Sequence, residues 1–351
     1  MDLYDNELYK EDLNYVAKLA LPWEKLQNSS ILISGATGLV GSFLVDVLMR
    51  KNEIENLNCT VYALSRDSQK AIIRFLKWNT NSFLQFIPYD IKNPLVRNDL
   101  GTINYVLHMA SNTHPMQYST DPIGTITTNI IGVKNMLDFA VNHNTTRFAF
   151  ASSNEIYGEN RGDVELFNED YCGYINCNTM RAGYPESKRC GESLCQAYKA
   201  QKGLDVVIPR LTRSYGPTML MSDTKAISQF IKKGIVGEDI ILKSSGRQYY
   251  SYTYVADAVS GLLHVLLKGK SGEAYNISDE GSDIMLKDLA SIIAEIANQR
   301  VIFDLPDDVE SAGYSVVTKA RLNGKKLNGL GWRAKYDIRS GLKRTIAIMK
   351  T

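Results

Sequence analysis

Tyr184 and Lys188 stand four residues apart, a spacing that puts both side chains on one face of a helix. An ammonium beside a phenol favours the phenolate, so the pair is expected to draw the tyrosine pKa from ~10 toward neutrality. A phenol tuned in this way can remove a hydroxyl proton while hydride leaves the same carbon. Ser153, in the run Ser152-Ser153-Asn154-Glu155-Ile156-Tyr157-Gly158, can hold the reacting oxygen by hydrogen bond. Glu155 adds a carboxylate able to handle protons nearby, whereas the Asn154 amide cannot act as an acid. A Tyr-x-x-x-Lys pair alone is common surface decoration, and its meaning depends on whether the chain also holds a hydride acceptor.

Gly35-Ala36-Thr37-Gly38-Leu39-Val40-Gly41 points to one. It lies between an apolar run, Ile31–Ser34, and a helical period from Gly41 to Arg50. A helix N-terminus offers unpaired N–H groups and partial positive charge to a pyrophosphate, and glycines let the phosphate approach the backbone. Strand, glycine loop and helix in that order are the context expected for a dinucleotide, although G-x-x-G-x-x-G differs from the G-x-G-x-x-G of many dehydrogenases. The second strand should end where the adenosine ribose is read. It ends Leu64-Ser65-Arg66-Asp67, where Arg66 suits the 2′-phosphate of NADP and Asp67 could serve the 2′-OH of NAD. Asp90, closing the third strand, is placed for the adenine edge or as a helix cap.

A scaffold that holds these motifs is visible as strand-like runs alternating with helical periods. Strands are expected at Ile31–Ser34, Thr60–Leu64, Phe83–Tyr89, Tyr105–Met109, Arg147–Ala151 and Asp205–Pro209, with helices at 130–142 and 186–202 between them. This alternation predicts an α/β fold, a Rossmann-type doubly wound parallel sheet with a smaller C-terminal α/β substrate-binding domain. The boundaries fall at an N-terminal helical extension 1–29, a nucleotide-binding domain 30–210 and a second domain 211–351, of which about 252–275 returns to the sheet. In the extension, Leu13, Val16, Ala17 and Ala20 mark a helix over Asp12–Leu21.

Composition narrows the function classes. Of 351 residues, 44% are apolar and 22% charged, the balance of a folded globular chain. A net charge of +2 gives no reason to expect nucleic acid or a membrane as partner. No apolar run approaches the ~18–20 residues of a membrane span. The acidic, polar N-terminus lacks a secretory signal, which points to the cytoplasm. Five cysteines without a C-x-x-C argue for free thiols, with no disulfide framework and no metal site.

Taken together, these residues make the chain resemble the extended short-chain dehydrogenase/reductase family, specifically its nucleotide-sugar branch. The likeness runs from about Ser30 to Ile348 and includes His108-Met109-Ala110, Thr128-Asn129-Ile130, Tyr215-Gly216-Pro217 and Tyr254-Val255-Ala256-Asp257 beside the motifs above. It implies a bound NAD or NADP, oxidation of a nucleotide-diphosphate sugar at C4, further chemistry on the ketone and return of the hydride. Family habit favours NAD where Arg66 hints at NADP. Cofactor contacts are then expected from Gly35, Thr37, Gly38, Leu39, Val40 and Gly41, from Ser65 and Arg66, and from Asp90 and Ile91. Met109, Ala110, Ser111 and Asn129 complete the set, with Tyr184 and with Lys188 on the nicotinamide ribose. A homodimer through the helices after Asn129 and Tyr184 is also implied.

Glu155 discriminates among the reactions of this branch. Simple 4-epimerases need no carboxylate there, and 4,6-dehydratases carry Asp-Glu where this chain has Asn154-Glu155. UDP-glucuronate decarboxylases look like Thr-Ser-Glu followed by Tyr-x-Glu-x-Lys-Arg, which Tyr184, Glu186, Lys188 and Arg189 match. Most relatives carry Arg at the position of Tyr250 and a neutral residue, usually Asn, at that of Arg213. A tyrosine cannot make a bidentate anion clamp, so Arg213 or Arg247 is expected to take over the contact. Asn112, Asn154 and Tyr250 are the other substrate-side candidates, with His114 in the same loop as Asn112. His108 reads as a structural histidine. The expectation is a decarboxylase-like enzyme, with a 4,6-dehydratase, a 4-epimerase and a non-catalytic NAD(P)-binding sensor as alternatives. The intact Ser153/Tyr184/Lys188 set argues against the sensor.

Overall fold

Strands that are apolar on both sides need a helical layer above and below them. The computed structural model describes residues 3–113, 115–304 and 318–350. Its main sheet is parallel and takes β1 (Ser30–Ser34), β2 (Thr60–Ser65), β3 (Leu84–Pro88), β4 (Tyr105–His108), β5 (Arg147–Phe150), β6 (Ser152–Ser153) and β7 (Val206–Leu211). The chain then leaves through β8 (Arg213–Tyr215), β9 (Ile240–Leu242) and β10 (Tyr249–Tyr254) and returns as β11 (Ala274–Ile277). Spatial order is β3-β2-β1-β4-β5-β7-β11, with β6 beside β7. The order reverses between β1 and β4, and in such sheets ligands bind outside the carboxyl ends of the strands at that point.

Pleating sorts the side chains between two cores. Ile31, Ile33, Tyr105 and Leu107 pack with Phe43, Leu44 and Val47 of α2 (Leu39–Glu55). Leu32, Val106, Phe148 and Val206 face Val133, Met136 and Leu137. Those three belong to α5 (Pro122–Asn142), which lies beside α6 (Gly183–Lys202) after the short helices α3 (Ser68–Arg74) and α4 (Pro115–Thr120). Helix α5 starts eight residues before the apolar period that marks it. Asp121 caps it by accepting from the Gly124 N–H at 2.9 Å, and Pro122 fills its first turn. The weak helix formers of Ile123–Thr128, a glycine among β-branched residues, hid that start from the sequence.

The N-terminal helix, α1 (Glu7–Ala17), begins earlier than its apolar stripe indicated because Asn6 caps it. Tyr4 and Tyr9 donate to the buried Asp46 of α2, which Arg74 of α3 also grips at 2.7 Å. Asp12 pairs with Arg344 at 2.9 Å, joining α1 to the C-terminal helix Ile338–Lys350. The extension is thus a brace across the back of the nucleotide half.

A second sheet centres on β10, flanked by β8, β12 (Asp283–Met285) and β14 (Lys319–Ala320), while β9 pairs with β13 (Val301–Phe303). Helices α7 (Ala226–Val236) and α9 (Leu286–Ala297) cover it, and the buried α8 (Val255–Lys268) follows β10 and packs between the two halves. No described helix is long and apolar enough to cross a membrane.

Candidate active site

The turn after β1 presses on the loop after β4. Gly35 has φ 72°, and a Cβ there would lie 2.7 Å from the Ala110 amide nitrogen. A Cβ on Gly41 would lie 2.2 Å from the Gly35 carbonyl oxygen, so only glycine lets the first turn of α2 close over the loop. The Ser34 hydroxyl accepts from the Met109 and Ala110 amides at 3.1 and 3.2 Å. It also meets His108 Nδ1 at 2.7 Å. Burial, with the Lys188 charge nearby, lowers His108 to about 3, so the ring stays neutral and ties β1 to β4 as a structural histidine. The N-terminus of α2 and the backbone beside Gly35 therefore open onto one cavity.

That cavity has a volume of about 910 Å³, near the top of the ~300–1,000 Å³ usual for ligand sites. One end is walled by Gly35, Thr37, Gly38, Leu39, Val40 and Gly41, then by Ser65, Arg66, Asp90 and Ile91. Met109, Ala110, Ser111 and Asn112 line its middle. Asp67 is not on the wall. It accepts from the Lys70 N–H at 3.0 Å as the cap of α3.

Asn129 does not touch the cavity either, contrary to the sequence expectation. It is buried, accepts from Ser111 Oγ at 2.8 Å and donates to Ser187 Oγ at 2.8 Å. Ser187 in turn donates to the Tyr184 carbonyl at 2.8 Å. Asn129 therefore spends its polar atoms setting the distance between the Ser111 loop and α6.

At the reacting centre, Ser153, Glu155, Tyr184 and Lys188 share the wall. Ser153 accepts from the Glu155 amide at 3.2 Å, which starts the short turn Asn154–Tyr157. Glu155 Oε1 is paired with Arg181 Nη2 at 2.8 Å. The Arg181 guanidinium lies 4.7 Å over the ring of Tyr118, and that ring stacks on Tyr184 at 5.1 Å. Lys188 Nζ donates to the Ala151 carbonyl at 2.8 Å and stands 5.9 Å from the Tyr184 ring centroid.

This geometry corrects the expectation for Tyr184. Burial, and then the Glu155 charge, push its phenol above the usual tyrosine value, while bonds from Ser153 and Ser111 and the Arg181 charge pull the other way. The lysine ammonium is turned to a carbonyl and does not offset the burial. Burial also brings Lys188 down to about 8.

Arg213, Gln248, Tyr250 and Tyr252 also line the cavity. The Arg213 guanidinium stacks 3.5 Å from the Tyr250 ring centroid. Arg247 is exposed and off the wall, in the irregular stretch that precedes β10, whereas Gln248, Tyr250 and Tyr252 line the cavity. Asn154 lies on the wall, and His114 lies outside the described residues.

A glycine cradle that any Cβ would fill, a helix N-terminus and a Ser-Tyr-Lys set on one continuous cavity fit a dinucleotide at one end and a second ligand at the other. Residues 31–278 match the model of the NAD dependent epimerase/dehydratase family. The chain belongs to that family. It is 32% identical to UDP-glucuronic acid decarboxylase 5 of Arabidopsis thaliana over 320 residues, covering 90% of this chain and 87% of the relative. It is 31% identical to UDP-glucuronic acid decarboxylase 1 of Danio rerio, covering 90% and 71%. Among solved structures, the dTDP-glucose 4,6-dehydratase of Streptomyces venezuelae superposes with a TM-score of 0.78 at 24% identity, covering 91% of this chain and 96% of that one. The UDP-glucuronic acid 4-epimerase of Bacillus cereus superposes with a TM-score of 0.79 at 22% identity, covering 92% and 99%. The chain is thus an NAD-dependent enzyme of the epimerase/dehydratase family, and the fold is the α/β Rossmann type.

Sequence reading missed two residues of the cavity wall. Tyr118 lies in the short helix α4 and Arg181 in the turn Met180–Ala182 before α6, both too short for a periodic signal, and nothing local marks their approach to Glu155 and Tyr184. Lys233 read as half of a solvated pair, yet it lies on the cavity wall, while its neighbour Lys232 donates to the Met221 and Asp223 carbonyls at 3.0 and 2.6 Å. Glu192, in register with the decarboxylase motif, holds Arg210 at 2.7 Å behind the site.

Proposed function

We propose that this enzyme oxidises UDP-glucuronate at C4 and releases its C6 carboxyl as CO₂, leaving a UDP-pentose. The observation that carries the reading is the Glu155 carboxylate, held by Arg181 beside the Ser153–Tyr184 pair. Its support from relatives is the pair of decarboxylases about 30% identical over nine-tenths of the chain. Asn154 speaks against dehydration by the Asp-Glu route, since an amide cannot protonate a departing hydroxyl.

When bound, NAD would supply the hydride acceptor. Gly35–Gly41 and the α2 N-terminus are the proposed hold on its pyrophosphate, Arg66 and Asp90 the hold on its adenosine, and Lys188 that on its nicotinamide ribose. Tyr184 takes the C4 hydroxyl proton as hydride departs, and Ser153 holds the oxygen. The C5–C6 bond then breaks. Its electron pair moves onto the C4 oxygen, which Tyr184 and Ser153 stabilise, and CO₂ leaves. Glu155 directs a proton to C5, hydride returns to C4, and Tyr184 gives its proton back to the oxygen. Overall, one proton replaces CO₂ and the cofactor is regenerated.

We also propose a homodimer through α5 and α6, supported by the exposed Ile123, Ile126 and Ile131 on α5, and a cytoplasmic location, in keeping with five free thiols. Light scattering tests the first. The reaction is tested by incubating the NAD-loaded protein with UDP-glucuronate, dTDP-glucose and UDP-glucose. Release of CO₂ and a UDP-pentose is the expected result. A 4-keto-6-deoxy sugar or an epimer as sole product would replace this reading with dehydration or epimerisation.

A further inference from the structure

We propose that Arg213, stacked on Tyr250, is the receptor for the substrate's sugar carboxylate and selects uronates over neutral hexoses, an inference that rests on the uronate reading above. Arg213 opens β8, whose partner is β10 in the register Tyr252↔Arg213. Its guanidinium carbon lies 3.5 Å from the Tyr250 ring centroid, so the ring covers one face and fixes the plane of the fork. Nη1 of Arg213 is buried and has no hydrogen-bond partner among the described residues. A buried guanidinium N–H without an acceptor is costly, and an anion in the cavity would remove that cost.

Position favours the sugar carboxylate over the diphosphate as that anion. Ser153, which holds the reacting oxygen, is the register partner of Leu211, and Arg213 lies two residues further along the same chain. Two strand residues span about 7 Å, which keeps Arg213 near the reacting end. Lys225 and Lys243 also line the cavity and provide other cations for phosphate. Because Arg213 and Tyr250 touch face to face from neighbouring strands, the charge could be carried from either position. The arrangement therefore predicts that moving the arginine from position 213 to position 250 keeps the receptor.

The test is calorimetric titration of the NAD-loaded protein with UDP, UDP-glucose and UDP-glucuronate. The wild type is expected to bind UDP-glucuronate at least tenfold more tightly than UDP-glucose. Arg213→Gln is expected to erase that preference while UDP affinity stays within twofold, which also shows that the variant is folded. The double variant Arg213→Asn, Tyr250→Arg is expected to recover preference for the uronate. Equal weakening of UDP and UDP-glucuronate in Arg213→Gln would assign the arginine to the diphosphate and overturn the proposal. So would a wild type without preference, or a preference that survives Arg213→Gln. A wild type that prefers the uronate but releases no CO₂ would support the receptor and retract the proposed reaction.

Discussion

Glu155 Oε1 and Arg181 Nη2 lie 2.8 Å apart, and the contact joins the turn after β6 to the turn that opens α6. Both side chains are about three-quarters buried, at 24% and 28% exposed. A pair this shielded keeps more of its attraction than one at the surface. Its consequence falls on Tyr184, whose phenol the carboxylate pushes up and the guanidinium pulls down.

Arg181→Met therefore leaves Glu155 unbalanced beside the phenol. We expect kcat to fall at least tenfold with a smaller change in KM, and the rise of kcat with pH to move to higher pH, as Tyr184 becomes harder to ionise. Arg181→Lys should recover part of the shift. A pH profile identical to that of the wild type would remove Arg181 from any role at the phenol.

Tyr184 and Glu155 act at different steps, and their variants should fail differently. Tyr184→Phe is expected to lose turnover by ~10²–10⁴-fold with no transient reduced nicotinamide in the near-ultraviolet spectrum. Glu155→Gln should still form the reduced cofactor on mixing with UDP-glucuronate while CO₂ release slows by a comparable factor. Stopped-flow absorbance alongside CO₂ capture separates the two.

Gly35→Ala should abolish NAD binding without unfolding the chain. The added Cβ would sit 2.7 Å from the Ala110 nitrogen and force the loops apart where the pyrophosphate would lie. Cofactor titration by fluorescence, with a thermal melt as control, measures this; unchanged affinity would contradict the proposed cradle.

Asp283 offers a stability test away from the chemistry. Its side chain is 3% exposed, accepts from Ser251 Oγ at 2.5 Å, and has an Oδ2 that makes no hydrogen bond among the described residues and meets Arg321 Nη1 only at 3.9 Å. Burial lifts its carboxyl from 3.8 to about 6. Because the folded value exceeds the unfolded one, this group favours the fold below 3.8, and that advantage is lost as pH rises through about 6. Asp283→Asn avoids the loss. It should raise the melting temperature at pH ~7.5 by the equivalent of ~1 kcal/mol or more, and should give little gain near pH 4.

Asp46→Ala should cost about 3–5 kcal/mol, because it strands Arg74 and removes the acceptor of Tyr4 and Tyr9. Chemical denaturation reads this directly, and a cost below 1 kcal/mol would show that the N-terminal brace is dispensable.

Much of this protein could be read from neighbouring residues. The glycine loop, the strand before it and the helix after it follow one another within residues 31–50, and Tyr184 and Lys188 share a face by helical period alone. Alternating apolar runs sufficed for six strands of the main sheet and its doubly wound class, since both depend on local period and element order. What was lost was the start of α5, where a cap and a proline outweighed β-branched residues.

The tertiary structure decided what the site residues do. Lys188 faces a carbonyl, and burial governs the Tyr184 phenol, because desolvation depends on everything packed around a group and not on its neighbour four residues away. Asn129 became a spacer, and Arg247 was left exposed off the cavity wall in the stretch before β10, a placement no local pattern states. Arg181 reached Glu155, and Arg213 found Tyr250, only because the sheet brought distant segments together. Spacing along a chain encodes periodicity, whereas charge balance and access to water arise from contacts between segments that periodicity does not specify.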